Sequence, residues 1–248
     1  MPHFKITIAY DGTDYVGWQR QVAGVSIQGA VEDALRQFDD RDVLVAGAGR
    51  TDAGVHATGQ VASFSLDRAI DAATVVRALN AKLPADIRVM SAVEARDGFH
   101  ARFDARSKTY RYRIWNGEVL PPFERRYVWH VPGPLDREAM SAAAQLINGK
   151  HDFAAFQGAG SDAATTERTI FQSAIRIPQS GMPHMIYFDI CGDGFLRHMV
   201  RAIVGSLVDV GRGRHAPDWI AQVIASRDRA AAGRSAPASG LFLMSVEY

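Results

Sequence analysis

The sequence predicts an α+β fold in two halves, residues 1–105 and 106–248, each a run of strands with helices on one side. Three observations predict it. Apolar and polar residues alternate in several short segments, the period of a strand with one buried face. Amphipathic stretches bounded by capping and stopping residues lie between them. After Arg106 the order of strand and helix begins again, and 248 residues lie at the upper limit for one domain and within the usual range for two, at roughly 100–200 residues per domain.

Phe4, Ile6, Ile8 and Tyr10 alternate with Lys5, Thr7 and Ala9 to make the first strand, closed by Asp11-Gly12. Ser26 caps a helix whose apolar face is Ile27, Ala30, Val31, Ala34, Leu35 and Phe38. Val43 to Ala46 reads as a short apolar strand, Gly47 to Gly59 as a glycine-punctuated loop, and Val61 to Leu66 as the next strand. Asp71 caps a second helix carrying Val75, Leu79 and Leu83, which Pro84 stops, and Ile87 to Val93 is a strand. In the second half, strands are expected at Tyr110 to Trp115, Phe171 to Ile177, Met185 to Ile190 and Leu241 to Tyr248. Helices are expected from Asp136 to Ile147, from Phe195 to Val210 with a wide apolar stripe, and from Trp219 to Ile224. Asp228 to Ser239, rich in Ala, Arg, Gly and Ser, reads as a mobile surface loop.

Composition excludes several classes. A net charge of +1 and a pI near 8.0 do not announce a nucleic-acid partner, so local charge must decide. The single cysteine, Cys191, rules out an internal disulfide and paired-cysteine zinc sites, and its place at a strand end suggests burial. The eight histidines show no HExxH spacing, and the glycines around Asp52 and His56 argue against a helix that would join that pair on one face. No metal and no cofactor is expected. No apolar run reaches the ~18 residues of a membrane span, and Met1-Pro2-His3-Phe4-Lys5 does not start like a secretory signal, so a cytoplasmic protein without a membrane is the expectation.

Three segments have residues suited to chemistry. In Gly49-Arg50-Thr51-Asp52-Ala53-Gly54-Val55-His56-Ala57, a carboxylate sits between an arginine and glycines. It reads either as a reactive Asp or as a turn bonding its own backbone. Arg102, Arg106, Lys108, Arg111 and Arg113, interleaved with Phe103, Tyr110 and Tyr112, have the cations and rings that RNA contact demands. Period-2 spacing equally permits a strand with a tyrosine core face and a solvated arginine face. Arg197 and Arg201 fall four apart at the start of the long helix and suit a carboxylate or phosphate partner. Trp18 in the loop after the first strand suits either stacking on a base or loop packing.

Together these segments resemble the tRNA pseudouridine synthase family that modifies tRNA positions 38, 39 and 40, the TruA family. The likeness runs from Tyr10-Asp11-Gly12-Thr13 and Gly17-Trp18-Gln19 through Gly49 to Ala57, Lys108-x-Tyr110-x-Tyr112 and His151-Asp152-Phe153. It continues at Gly194-Phe195-Leu196, Met199-Val200-Arg201 and Pro237-Ala238-x-Gly240-Leu241. The resemblance implies that Asp52 is the catalytic aspartate, that Tyr110 is the active-site tyrosine and that Arg201 pairs with Asp52. It further implies that Arg50 handles the flipped nucleotide. Also implied are two similar halves with mostly antiparallel sheets, an active-site cleft between them, and a homodimer that receives the anticodon stem-loop of tRNA. The stretch Gln157 to Thr166 matches no fixed pattern of the family. Two other readings suit the same residues: an RNA-binding protein without activity, and a glycosidase or nucleoside hydrolase, with Asp11 or Asp14 as a second carboxylate.

Overall fold

A computed structural model of the chain describes residues 1–39, 41–160, 163–178 and 182–248. The side chain of Phe38 and part of the 157–166 stretch lie outside the described residues. The elements are β1 (His3–Tyr10), α1 (Ile27–Asp39), β2 (Ala46–Gly47), β3 (His56–Ser65), α2 (Ala72–Lys82), β4 (Ile87–Glu94) and β5 (Ser107–Trp115). There follow β6 (Trp129–His130), α3 (Arg137–Gln145), β7 (Gly149–Asp152), β8 (Glu167–Arg176), β9 (Met185–Gly192), α4 (Met199–Gly211), α5 (Trp219–Ser226) and β10 (Leu241–Glu247). They form two compact units, Met1–Arg106 with Phe242–Tyr248, and Ser107–Leu241.

In the first unit β1 lies between β3 and β4, antiparallel to both, and β10 adds to the far edge of β3 in parallel. Phe4, Ile6, Ile8 and Tyr10 are buried, as the alternation predicts. The Ser26 hydroxyl accepts the Gly29 N–H at 3.1 Å and starts α1, which buries Ile27, Val31 and Leu35. Asp71 caps α2 by accepting the Thr74 N–H at 2.7 Å, and α2 packs Val75 and Leu79 inward beside β4.

Three expectations in this unit give way to tertiary structure. Val43 to Ala46 is not a strand beyond the short pairing of β2 with β3. Its valines are buried and Leu44 is exposed, but its backbone groups are taken by side chains of α1: Gln28 Nε2 donates to Val45 O at 3.0 Å and Glu32 Oε1 accepts Val45 N–H at 3.4 Å. The expected loop ends at Val55, because β3 begins at His56. Strands flank β3 on both sides, so its polar and glycine residues sit where a sequence reading looks for apolar ones; a Cβ on Gly59 would overlap the Met244 carbonyl of β10. Finally, the C-terminal strand, read with the second half, joins the first unit, since β3 offers it an open edge.

The second unit is an antiparallel sheet in the order β5-β9-β8-β7, with β6 parallel to the C-terminal end of β5. Asp136 caps α3 by accepting the Ala139 N–H at 2.9 Å, and α3 packs on β8 and α4. Helix α4 begins at Met199 and not at Phe195, because His198 adopts φ 60°, a left-handed conformation that interrupts a helix. The polar strand β7 escaped the sequence reading because Gly149-Lys150-His151-Asp152 lacks apolar alternation; it lies at the end of the sheet order. Cys191 is half-buried in β9 and not fully enclosed. The 228–239 segment, read as mobile, is bonded to α4, with Gly233 N–H donating to Ser206 Oγ at 2.9 Å and Ala236 N–H to Arg201 O at 2.9 Å. No described helix is long and apolar enough to cross a membrane.

The hold of α1 on residue 45 can be measured. Gln28→Ala removes a donor from the backbone carbonyl of the buried Val45, and a loss of about 1–3 kcal/mol of stability is expected. It should appear as a lower urea midpoint with an unchanged slope.

Candidate active site

The segment after β1 and the turn bearing Asp52 are built as one piece. Asp11 Oδ1 accepts from the N–H and hydroxyl of Thr13 at 3.0 and 2.6 Å, which folds the chain back at once. The backbone of Gly12 then passes so near residue 55 that a Cβ would overlap the Val55 carbonyl. Gly17, at φ 106°, leaves only 2.5 Å between a hypothetical Cβ and Thr51 O, and the next N–H, of Trp18, donates to that same oxygen at 3.0 Å. Asp52 opens a turn closed by Val55 N–H donating to Asp52 O at 3.1 Å. The turn reading of this loop and the reactive reading are therefore compatible: the backbone makes the turn, and the carboxylate is half-buried beside the exposed Arg50.

Buried polar groups support the turn from below. Tyr10 Oη and Thr51 Oγ1 are 2.8 Å apart, and Gln60 Nε2 donates to Gly49 O at 2.9 Å. Burial pushes the Tyr10 hydroxyl up to about 12, against the opposing hydrogen bonds to Thr51 and Gln60, so it remains a neutral partner throughout the physiological range. His56, 1% exposed, accepts the Gly12 N–H at Nδ1 and stacks on Phe242 with ring centres 4.6 Å apart. Trp18 is buried with its indole against Gly47, which is the loop-packing role. Thr51, Gln60 and His56 were not singled out as supports in the sequence. The available signal was a glutamine and a histidine within a strand of otherwise small and apolar residues.

Tyr110 and Arg201 belong to the second unit. Tyr110, on β5, is buried with its ring edge-on to Phe195 at 5.1 Å. Tyr112 is core: its hydroxyl donates to Pro237 O at 2.7 Å, and burial raises its pKa well above the phenol range while nearby Arg201 pulls it down. The arginines on the other face of β5 are engaged. Arg111 makes a two-pronged pair with Asp189 at 2.7 and 2.8 Å beneath the Tyr187 ring, and Arg113 meets Glu124 at 2.8 Å. The structure thus favours the core-and-ion-pair reading for β5 and leaves Arg102, Phe103 and Arg106 as the exposed part of that basic, aromatic run. Arg197 precedes α4 and donates to Ala159 O at 2.8 Å, so it does not share a helix face with Arg201. Arg201, in the first turn of α4 and half-buried, donates from Nε to Ala236 O at 2.8 Å. Among the described residues, no cluster of three His, Cys, Asp or Glu side chains is placed to hold a metal ion.

A family model described as tRNA pseudouridine synthase matches residues 6–104 and 143–248. A tRNA pseudouridine synthase A of Moorella thermoacetica is 48% identical over 250 residues, with 100% of both chains covered. One of Pelobacter propionicus is 46% identical over 248 residues with 100% of both covered, and a tRNA pseudouridine synthase A 1 of Desulfotalea psychrophila is 43% identical, again over 100% of both. The chain belongs to the tRNA pseudouridine synthase family.

The packing at Gly17 yields a direct expectation. Gly17→Ala must adopt a positive φ and press on Thr51 O, for which a loss of about 1–3 kcal/mol is expected. Thermal unfolding should show it, and turnover should fall together with stability.

Proposed function

We propose that this chain isomerises uridine to pseudouridine at positions 38, 39 and 40 in the anticodon stem-loop of tRNA, in the cytoplasm and as a homodimer. The observation that carries the reading is the Asp52 turn, a half-buried carboxylate on a backbone pinned at Thr51 and Val55, in a chain of this family. The reaction breaks the N1–C1′ bond, turns the uracil and joins C5 to C1′; N1 gains a proton and C5 loses one, so the product is an isomer and no cofactor is consumed. The target must leave the base stack, at a cost of about a few kcal/mol. Phosphate contacts elsewhere on the tRNA offset that cost.

In this reading Asp52 acts ionised at the sugar, as nucleophile at C1′ or as base toward the 2′ hydrogen, and a rigid turn keeps its carboxylate from swinging away. Arg201 pairs with Asp52 and favours the charged form. Arg50 meets the flipped nucleotide. Tyr110 stacks on the uracil, a role that fits its buried, ring-packed setting better than proton transfer does, since an ordinary phenol is a poor base near neutrality.

The decisive assay is tritium release from a tRNA transcript labelled at uridine C5, without added cofactor or metal. Wild type should release tritium with no free uracil, and Asp52→Asn should bind tRNA normally and release none. Free uracil would identify a hydrolase, and tight binding without release a silent RNA-binding protein. Tyr110→Phe keeps the ring and should retain most turnover; a drop on the order of 100-fold or more would give the phenol a proton-transfer role instead.

A further inference from the structure

His56 is a buried titratable side chain to which the proposed chemistry gives no task. Its ring is 1% exposed in β3, with one face stacked on Phe242. Its Nδ1 lies 3.1 Å from the Gly12 N–H and also 3.1 Å from Asp11 Oδ1. One nitrogen cannot accept from the first and donate to the second at the same time. The Gly12 N–H has the stronger claim. It is a buried backbone donor that must be satisfied, whereas Asp11 Oδ1 already accepts from Thr13 N and Oγ1 at 3.0 and 2.6 Å. Nδ1 therefore carries the lone pair.

Gly12 is also the residue whose backbone abuts the Val55 carbonyl, at the closing end of the Asp52 turn. A hydrogen bond that sets the place of Gly12 thereby sets the wall against which the turn rests. Trp18 N–H on Thr51 O fixes the other end of the turn, 3.0 Å away. We propose that His56 is a positioning residue for Asp52, acting through Gly12: its Nδ1 holds the Gly12 N–H so that residues 11–18 brace the turn at both Thr51 and Val55. The inference rests on the role given to Asp52 above.

Two substitutions separate positioning from mere packing. Asn and Gln both remove the ring and its stack on Phe242, but the Asn amide oxygen falls near the place of Nδ1 while the Gln amide lies one carbon farther out. With saturating tRNA and a single turnover, His56→Asn should stay within about tenfold of wild type, and His56→Gln should fall on the order of 100-fold, the scale of a 1 Å misplacement. Both should keep tRNA affinity within about threefold, because neither substitution removes a lysine or arginine. Equal losses in the two variants, in proportion to their thermal destabilisation, would overturn the proposal, as would Gln outperforming Asn. Deuterium uptake by residues 11–18 and 48–55 reads the same brace without catalysis. Faster uptake in His56→Gln than in His56→Asn supports it, and equal uptake overturns it. If the wild type releases no tritium, the proposed function fails, and the uptake comparison still decides the role of His56.

Discussion

The geometry of the first unit's site depends on an approach of two backbones too close for any side chain to stand between them. Where the chain leaves β1, Gly12 and Gly17 let residues 11–18 lie directly on residues 51–55, and the Thr51 carbonyl receives a hydrogen bond across that contact. A carboxylate on a free loop would sample many positions, and ordering it on each encounter with substrate would cost entropy. Here that ordering is built in during folding. Tyr10, Gln60 and His56 complete the support with hydrogen bonds from below the turn.

Charge on this chain is local and largely paired. The overall balance of +1 gives little long-range steering toward a polyanion, and several arginines that look available in sequence are engaged within the fold. Arg20 meets Glu32 and Asp33, Arg111 meets Asp189, and Arg113 meets Glu124. What the sheet of the second unit presents around Tyr110 is thus shaped by packing and ion pairs. The exposed part of the basic, aromatic run is Arg102, Phe103 and Arg106, ahead of β5.

Arg201 shows how a helix start can be tied down by a segment that sequence reads as loose. Its main-chain carbonyl accepts from Ala236, its Nε donates back to the Ala236 carbonyl, and Gly233 bonds Ser206 one turn and a half along the same helix. A guanidinium gripped at Nε has the plane of its group held in place.

Most helices and strands were legible because their stability rests on patterns that sequence displays. Alternation marked β1, caps at Ser26 and Asp71 marked helix starts, and Pro84 marked a stop. The family-like motif around Asp52 was legible too, since its residue types and order are themselves the signal. What sequence could not display was anything set by a distant neighbour. It could not show that Gln28 and Glu32 would take the backbone of residue 45 from a strand, or that β3 would extend back to His56 between two other strands. Nor could it show that the last seven residues would return to the first unit, or that His56 would face Gly12. Those outcomes depend on which edges and faces remain open after the local elements form. The motif that carries Asp52 was thus written in the sequence, and the bracing of its turn was decided only when the chain packed against itself.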